Sequence, residues 1–361
     1  MRLYRHLLIA ATLLACVVIA LGAYVRLSDA GLGCPDWPGC YGHWLGVPTL
    51  GHEQLAASAA FPQRALDSGK AWKEMIHRYC AGTLGLLVLA IWLLAWREKI
   101  RQRTSPFLAS LLLGIVGLQA ALGMWTVTLL LKPVIVTLHL IGGMSTLAVL
   151  LALILVTGSR APSSPQRASL RWLAAVALLA VITQIALGGW VSSNYAALAC
   201  PDFPQCQGQW QPAADFSQAF KLHRELGQTD DGQLLSNAAL MAVHWSHRLG
   251  AMLVLLTVGA LSAALLRSGE RYWRRWGSLL LALVVLQIGL GIGNVLLALP
   301  LPLALAHTLG AAALLIVVLS INILGVPGRA SHLSNRQQPG QLCQAPDETK
   351  VRQTVPHQNP A

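Results

Sequence analysis

A chain of 361 residues in which 55% are hydrophobic, only 11% are charged and the mean hydropathy is +0.56 does not have the composition of a soluble globular protein. Its formal net charge of +12 resembles a nucleic-acid signal. Most of the basic residues, however, sit in short segments between apolar runs, where they report membrane topology and attraction to anionic lipid, so we read no nucleic-acid partner.

Apolar runs of about 20 residues, enough to cross ~30 Å of hydrocarbon, recur along the chain. They predict spans from about Leu7 to Tyr24, Trp72 to Trp96, Phe107 to Leu130 and Val134 to Val156. A second set follows at about Trp172–Val191, Leu240–Leu266, Trp276–Leu299 and Leu303–Leu324. The short alternating segments of a β-barrel are absent. The expected fold is an all-α polytopic membrane protein. The first span, preceded by Arg2 and Arg5, resembles a signal peptide. It reads as a retained span because its end, Ala20-Leu21-Gly22-Ala23-Tyr24-Val25, returns inside the chain as Ala186-Leu187-Gly188-Gly189-Trp190-Val191.

The organisation follows. Residues 1–157 form an N-terminal four-helix half, and 158–171 a Pro/Ser-rich cytoplasmic linker. Residues 172–325 form a C-terminal four-helix half, and 326–361 a polar, disordered cytoplasmic tail. Basic residues put the 97–103 loop, the linker, the segment from Arg267 to Arg275 and both termini on the cytoplasmic side. The long loops 26–70 and 195–238 face outward, which in a bacterium is the outer face of the inner membrane.

The two halves repeat each other. Cys34–Cys40 (CPDWPGC) aligns with Cys200–Cys206 (CPDFPQC), Trp44 with Trp210, His77-Arg78 with His247-Arg248, Gln119 with Gln287 and His139 with His307, at offsets of 166 to 170. Four spans per half imply a shared orientation and a pseudo-twofold axis along the membrane normal relating two four-helix bundles. Glycines such as Gly142, Gly143, Gly289 and Gly291 suit close helix approach.

Four intramembrane histidines, His77, His139, His247 and His307, lie at matched depths near the outer side. Ionisable residues are expensive there and generally have a use. Two imidazoles per bundle suit the axial positions of a haem iron. Zinc would need further ligands in each half. Arg78 and Arg248 follow their histidines and point about 100° away on a helix. Snorkelling to the interface and pairing with haem propionates are both open for them. Glu74 lies one turn before His77, and its counterpart is His244. A carboxylate in one half alone suggests chemistry in that half and electron transfer in the other, against the plain reading of a solvated surface charge. Each outer loop carries two cysteines with five residues between them, able to close a small loop in an oxidising compartment. A metal site and independent thiols are the alternatives. His43, His52 and His223 read as ordinary loop residues, and Cys16 and Cys80 as core.

These residues together (EMIHR at 74–78, HWSHR at 244–248, His139, His307, CPDWPGC and the duplicated spans) make the chain resemble the bacterial haem A synthase family over roughly residues 7–325. The resemblance implies an eight-helix membrane oxidoreductase that converts the C8 methyl of haem O to the formyl group of haem A for cytochrome oxidase assembly. It implies that His77 and His139 flank the substrate haem, with Arg78 beside it and Glu74 as the catalytic carboxylate. It implies that His247 and His307 are the axial ligands of a resident haem B, with Arg248 as a propionate partner. Cys34–Cys40 and Cys200–Cys206 are the implied disulfide pairs. Haem O synthase, oxidase assembly factors and membrane lipid are the implied partners, and a homo-oligomer is left open. A di-haem electron carrier without covalent chemistry is the main competing reading, and a transporter a further one.

Overall fold

A computed structural model describes residues 1–101, 106–158 and 168–326. Most of the expected linker and nearly all of the expected tail, including Cys343, lie outside the described residues. Among those residues the chain is helical, with no named strand. In order the elements are α1 (Arg2–Leu27), α2 (Gly51–Ala60), α3 (Ser68–Ala95), α4 (Glu98–Arg101), α5 (Pro106–Thr128), α6 (Pro133–Gly158), α7 (Ala168–Ser193), α8 (Phe216–Ala219), α9 (Asn237–Leu266), α10 (Arg271–Leu296) and α11 (Leu301–Leu324). Eight of them (α1, α3, α5, α6, α7, α9, α10, α11) are long and apolar enough to cross a membrane. These are the eight expected spans. Most begin or end a few residues outside the apolar runs, because polar caps and first turns extend a helix past its hydrophobic stretch.

Those caps are legible residue by residue. The Asp67 side chain accepts from the Lys70 amide to start α3, and Ser236 accepts from Ala239 to start α9. Pro133 opens α6 and Pro302 stands in the first turn of α11, where a missing N–H does no harm. The helices end in the same way in both halves. After α5, Leu130 and Leu131 take positive φ while the Leu131 amide donates back to the Thr126 carbonyl (2.8 Å). After α10, Ala298 and Leu299 do likewise, with Leu299 donating to Asn294 (2.8 Å).

The packing pattern is also repeated. In the first half α1 meets α3, α3 meets α5, α5 meets α6 and α6 closes on α1. In the second, α7, α9, α10 and α11 make the same circuit. Between halves α6 packs on α7, α1 on α11 and α6 on α11. At the outer end the crossing is polar: Tyr195 Oη donates to Asp29 Oδ1 (2.9 Å) and Arg26 Nη2 to the Ser192 carbonyl (2.6 Å). Thr137 Oγ1 and Ser193 Oγ share a hydrogen bond at 3.1 Å. Asp29 and Tyr195, and Arg26 and Ser192, are each other's counterparts at offset 166.

The main apolar cluster lies toward one end of the bundles. It takes Tyr4 and Leu8 from the start of α1, Ile91 from the end of α3, Leu112 from the start of α5, and Leu153 and Ile321 from the ends of α6 and α11. All of these are fully or nearly fully buried. The opposite end, under the long loops, is where the four histidines stand, and there each is only half-buried. Smaller buried clusters built on the two disulfides cover the loop end.

Candidate paired-histidine sites

His77 on α3 and His139 on α6 face each other with ring centroids 6.5 Å apart and planes at 80°. His247 on α9 and His307 on α11 repeat this at 6.5 Å and 76°. The histidines stand within about 9 to 15 Å of the outer ends of their helices, counting ~1.5 Å per residue. A metal–imidazole bond of about 2 Å places two ligand ring centroids roughly 6 Å apart across one ion. Each pair therefore has the spacing of two axial ligands on a single iron.

Each ring also rests on a glycine of the neighbouring helix. A Cβ at Gly22 would come within 3.0 Å of His77 Cε1, at Gly123 within 3.5 Å of His139, at Gly188 within 3.1 Å of His247 and at Gly291 within 3.1 Å of His307. Four glycines on α1, α5, α7 and α10 form a repeated cradle that fixes where each imidazole can lie. Among the described residues no three His, Cys, Asp or Glu side chains come together as a metal-binding group. A site with two protein ligands fits a haem, whose macrocycle supplies the remaining donors, better than a zinc ion needing four.

The loops over these pockets are built as a pair. Cys34 and Cys40 form a disulfide, as do Cys200 and Cys206. Asp36 Oδ1 and Oδ2 accept from the amides of Tyr41 and Gly42 (2.6 and 2.9 Å), and Asp202 accepts from Gln207 and Gly208 (2.6 and 2.8 Å). Positive φ at Tyr41–Gly42 and Gln207–Gly208 lets the second cysteine of each loop pair with the residue three further on, a turn matching the twist of a tight hairpin. The Gly208 amide, then that of Gln207, holds the Asp202 carboxyl below its ordinary 3.8.

Arg78 and Arg248 clamp these loops. Arg78 Nη1 donates to the carbonyls of Asp36 (3.0 Å), Pro38 (3.2 Å) and Gly39. Arg248 Nη1 donates to Gln205 (2.7 Å), and its Nη2 to Cys200 and Asp202 (2.8 and 2.7 Å). Neither of the uses weighed from the sequence had included this one. It could have been found there, since each arginine lies four residues after a polar partner on a helix that must carry a loop.

That partner is where the halves part. Glu74 is 5% exposed, so it is not a solvated surface charge. Its Oε2 accepts from the Cys34 amide (2.9 Å) and its Oε1 pairs with Arg78 Nη2. His244, 4% exposed, takes the same place: the Cys200 amide reaches its Nδ1 (3.4 Å) and Arg248 Nε its Nε2 (3.3 Å). One position thus joins disulfide loop, arginine and histidine helix in both halves, and is anionic in only one. Of the other histidines, His52 and His223 are exposed, and the His43 main chain pairs with Cys40 in the hairpin.

Fold and site together define a class: a multi-pass helical membrane protein with two facing-histidine pockets under arginine-clamped disulfide loops. Comparison with known proteins agrees. The cytochrome oxidase assembly protein model (COX15-CtaA) matches residues 5–319, and the chain belongs to that family. Its relatives include the heme A synthase of Shewanella oneidensis, 44% identical over 85% of this chain and 92% of that protein. Those of Shouchella clausii (28% identical; 70% and 79% covered) and Chelativorans sp. (31%; 75% and 78%) carry the same name.

Proposed function

We infer that this chain is a membrane-bound oxidoreductase of the haem A synthase type, oxidising the C8 methyl of haem O to the formyl group of haem A for cytochrome oxidase assembly. The observation that carries it is the doubled facing-histidine geometry in a chain 44% identical to a heme A synthase over 85% of its length.

Within that reading the two four-helix halves divide the work. The first half takes substrate, with His77 and His139 on either side of the porphyrin plane and the glycines Gly22 and Gly123 orienting their rings. The second half holds a resident haem B between His247 and His307. A haem ligated on both faces supplies one-electron transfer rather than oxygen chemistry. Glu74 is the carboxylate beside the substrate pocket. Buried between the Cys34 amide and the Arg78 guanidinium, it is held in one orientation, where it accepts a proton released in oxidation or stabilises positive charge on the substrate. His244 cannot add a negative charge at the second pocket, which suits a site that passes electrons only. Arg78 and Arg248 keep their loops closed over the pocket mouths, excluding water. Propionate pairing is part of the same proposal, though Arg248 already has Nε, Nη1 and Nη2 engaged. The disulfides Cys34–Cys40 and Cys200–Cys206 hold the lids, and haem O synthase and oxidase assembly factors are the partners. The basic residues Arg97 and Arg101 after α3 and Arg267 to Arg275 around the start of α10 support an inner-membrane orientation with those loops and both termini cytoplasmic.

The test is chromatography of haems extracted from membranes supplied with haem O, carrying either the intact protein or His77→Ala. Haem A is expected from the intact protein alone. Bound haem B with haem O left unconverted by the intact protein, in the presence of active redox partners, would instead identify a di-haem electron carrier.

A further inference from the structure

The residue one turn before each cradle glycine, on the same helix face, is Val18 before Gly22, Gln119 before Gly123, Gln184 before Gly188 and Gln287 before Gly291. Three of these four positions place an amide inside an apolar helix bundle, where a polar side chain needs a partner. Two of them, both in the second half, find it at the histidines themselves, whereas Gln119 Nε2 is buried without a partner. Gln184 Nε2 donates to the main-chain carbonyl of His247 (2.9 Å) and lies 3.0 Å from its Nδ1. Gln287 Nε2 donates to the main-chain carbonyl of His307 (2.9 Å).

Room for each amide comes from a second glycine, three residues after the histidine: Gly142 after His139, Gly250 after His247 and Gly310 after His307. At each of them the first atom an added Cβ would strike belongs to the glutamine amide, that of Gln119, Gln184 and Gln287 respectively. The fourth pair departs at both places together. Opposite His77 stands Val18 in place of glutamine, and three residues after His77 stands Cys80 in place of glycine. The amide and the space for it are missing at one and the same site.

A carbonyl within a helix already accepts from the amide four residues on. A second donor from a neighbouring helix ties that turn across the interface, so the ligand cannot withdraw without breaking an interhelical bond. Among the described residues no glutamine donor reaches the main-chain carbonyl of His77 or of His139.

We propose that Gln184 and Gln287 are positioning residues that lock the two histidine-bearing turns of the second half, a tie that neither histidine turn of the first half receives. The inference rests on the haem reading above. The second half then grips its haem more firmly than the first.

The test is carbon monoxide binding to the purified, haem-loaded, dithionite-reduced full-length protein, followed optically. Carbon monoxide enters only where a ligand leaves, so two phases are expected, a fast one from the first half and a slow one from the second. One interhelical hydrogen bond in a membrane protein is worth about 0.6 and at most about 1.7 kcal/mol, or roughly three- to twentyfold in rate. Gln287→Val, which removes the donor to the His307 carbonyl, should speed the slow phase by that factor. Gln184→Val should speed the slow phase by a similar one and raise the rate at which haem passes to apomyoglobin. Either shift supports the lock, so the proposal stays testable if one variant fails to fold. Both phases unmoved in haem-bearing variants would overturn this inference alone. A wild-type protein that takes up no haem would overturn the haem reading, and this inference with it.

Discussion

One turn before the first histidine of its pair, the first half carries Glu74 and the second His244, and both are buried at the same junction of helix, arginine and disulfide loop. Behind that histidine the first half has Val18 and Cys80, the second Gln184 and Gly250. The facing rings themselves are alike in spacing and tilt. The duplicated framework therefore sets where each histidine pair stands, while a few positions around it decide whether the junction carries a carboxylate and whether an amide reaches the histidine turn. Two pockets of one repeated plan thus differ in charge and hydrogen bonding while their ring geometry stays the same.

The largest expected effects break one pocket and leave the other. Gly22→Val puts methyl groups where His77 lies, since even a Cβ would reach 3.0 Å from its Cε1. It should abolish haem O conversion while the second-half haem remains. Gly188→Val should do the reverse and remove the resident haem. Haem-to-protein ratios with pyridine haemochrome spectra separate the two, and loss of both haems from either variant would show that the pockets are not independent.

Next is Glu74→His, which rebuilds the second-half arrangement in the first. Because His244 already occupies that environment, the fold should hold. Conversion of haem O should fall by about 10²-fold or more, the usual contribution of a positioned acid or base. Conversion at the wild-type rate would remove Glu74 from the chemistry and leave it only as a support for the loop.

A smaller contrast lies in the clamps. Arg78→Ala leaves the Glu74 carboxylate buried beside no cation, and breaking a buried pair from one side is worth about 3 kcal/mol or more. Arg248→Ala leaves a neutral histidine and unpaired carbonyls near the loop surface, worth about 1–2 kcal/mol. Thermal denaturation in detergent should therefore show the larger drop for Arg78→Ala. Equal drops would mean that the Glu74–Arg78 pair contributes no more than the loop bonds.

The smallest effect is in acid. Asp202 has its carboxyl held below 3.8 by the Gly208 and Gln207 amides, so the loop's gain from it is full above 3.8 and is lost as pH falls through the lowered value. The amides of Gln207 and Gly208 should stay protected from hydrogen exchange at neutral pH, after correction for intrinsic rates, and lose that protection only below about pH 4. Asp202→Asn should lose it at every pH.

Much of this was legible in the chain itself. Eight apolar runs dictate eight helices, because a backbone in hydrocarbon must satisfy its own hydrogen bonds. The offsets of 166 to 170 expose the duplication, and paired histidines at matched depth announce the two sites. Local chemistry determines such features, so sequence carries them. The four cradle glycines, the arginine grip on the loop carbonyls, the burial of Glu74 and the Gln184 contact to His247 were not legible in this way. Each depends on which faces of two helices meet, and that is settled by packing between segments tens of residues apart. Gln184 is the clearest case: its counterpart is Val18, so the repeat conceals it, and only the approach of α7 to α9 shows that an amide there holds a histidine in place.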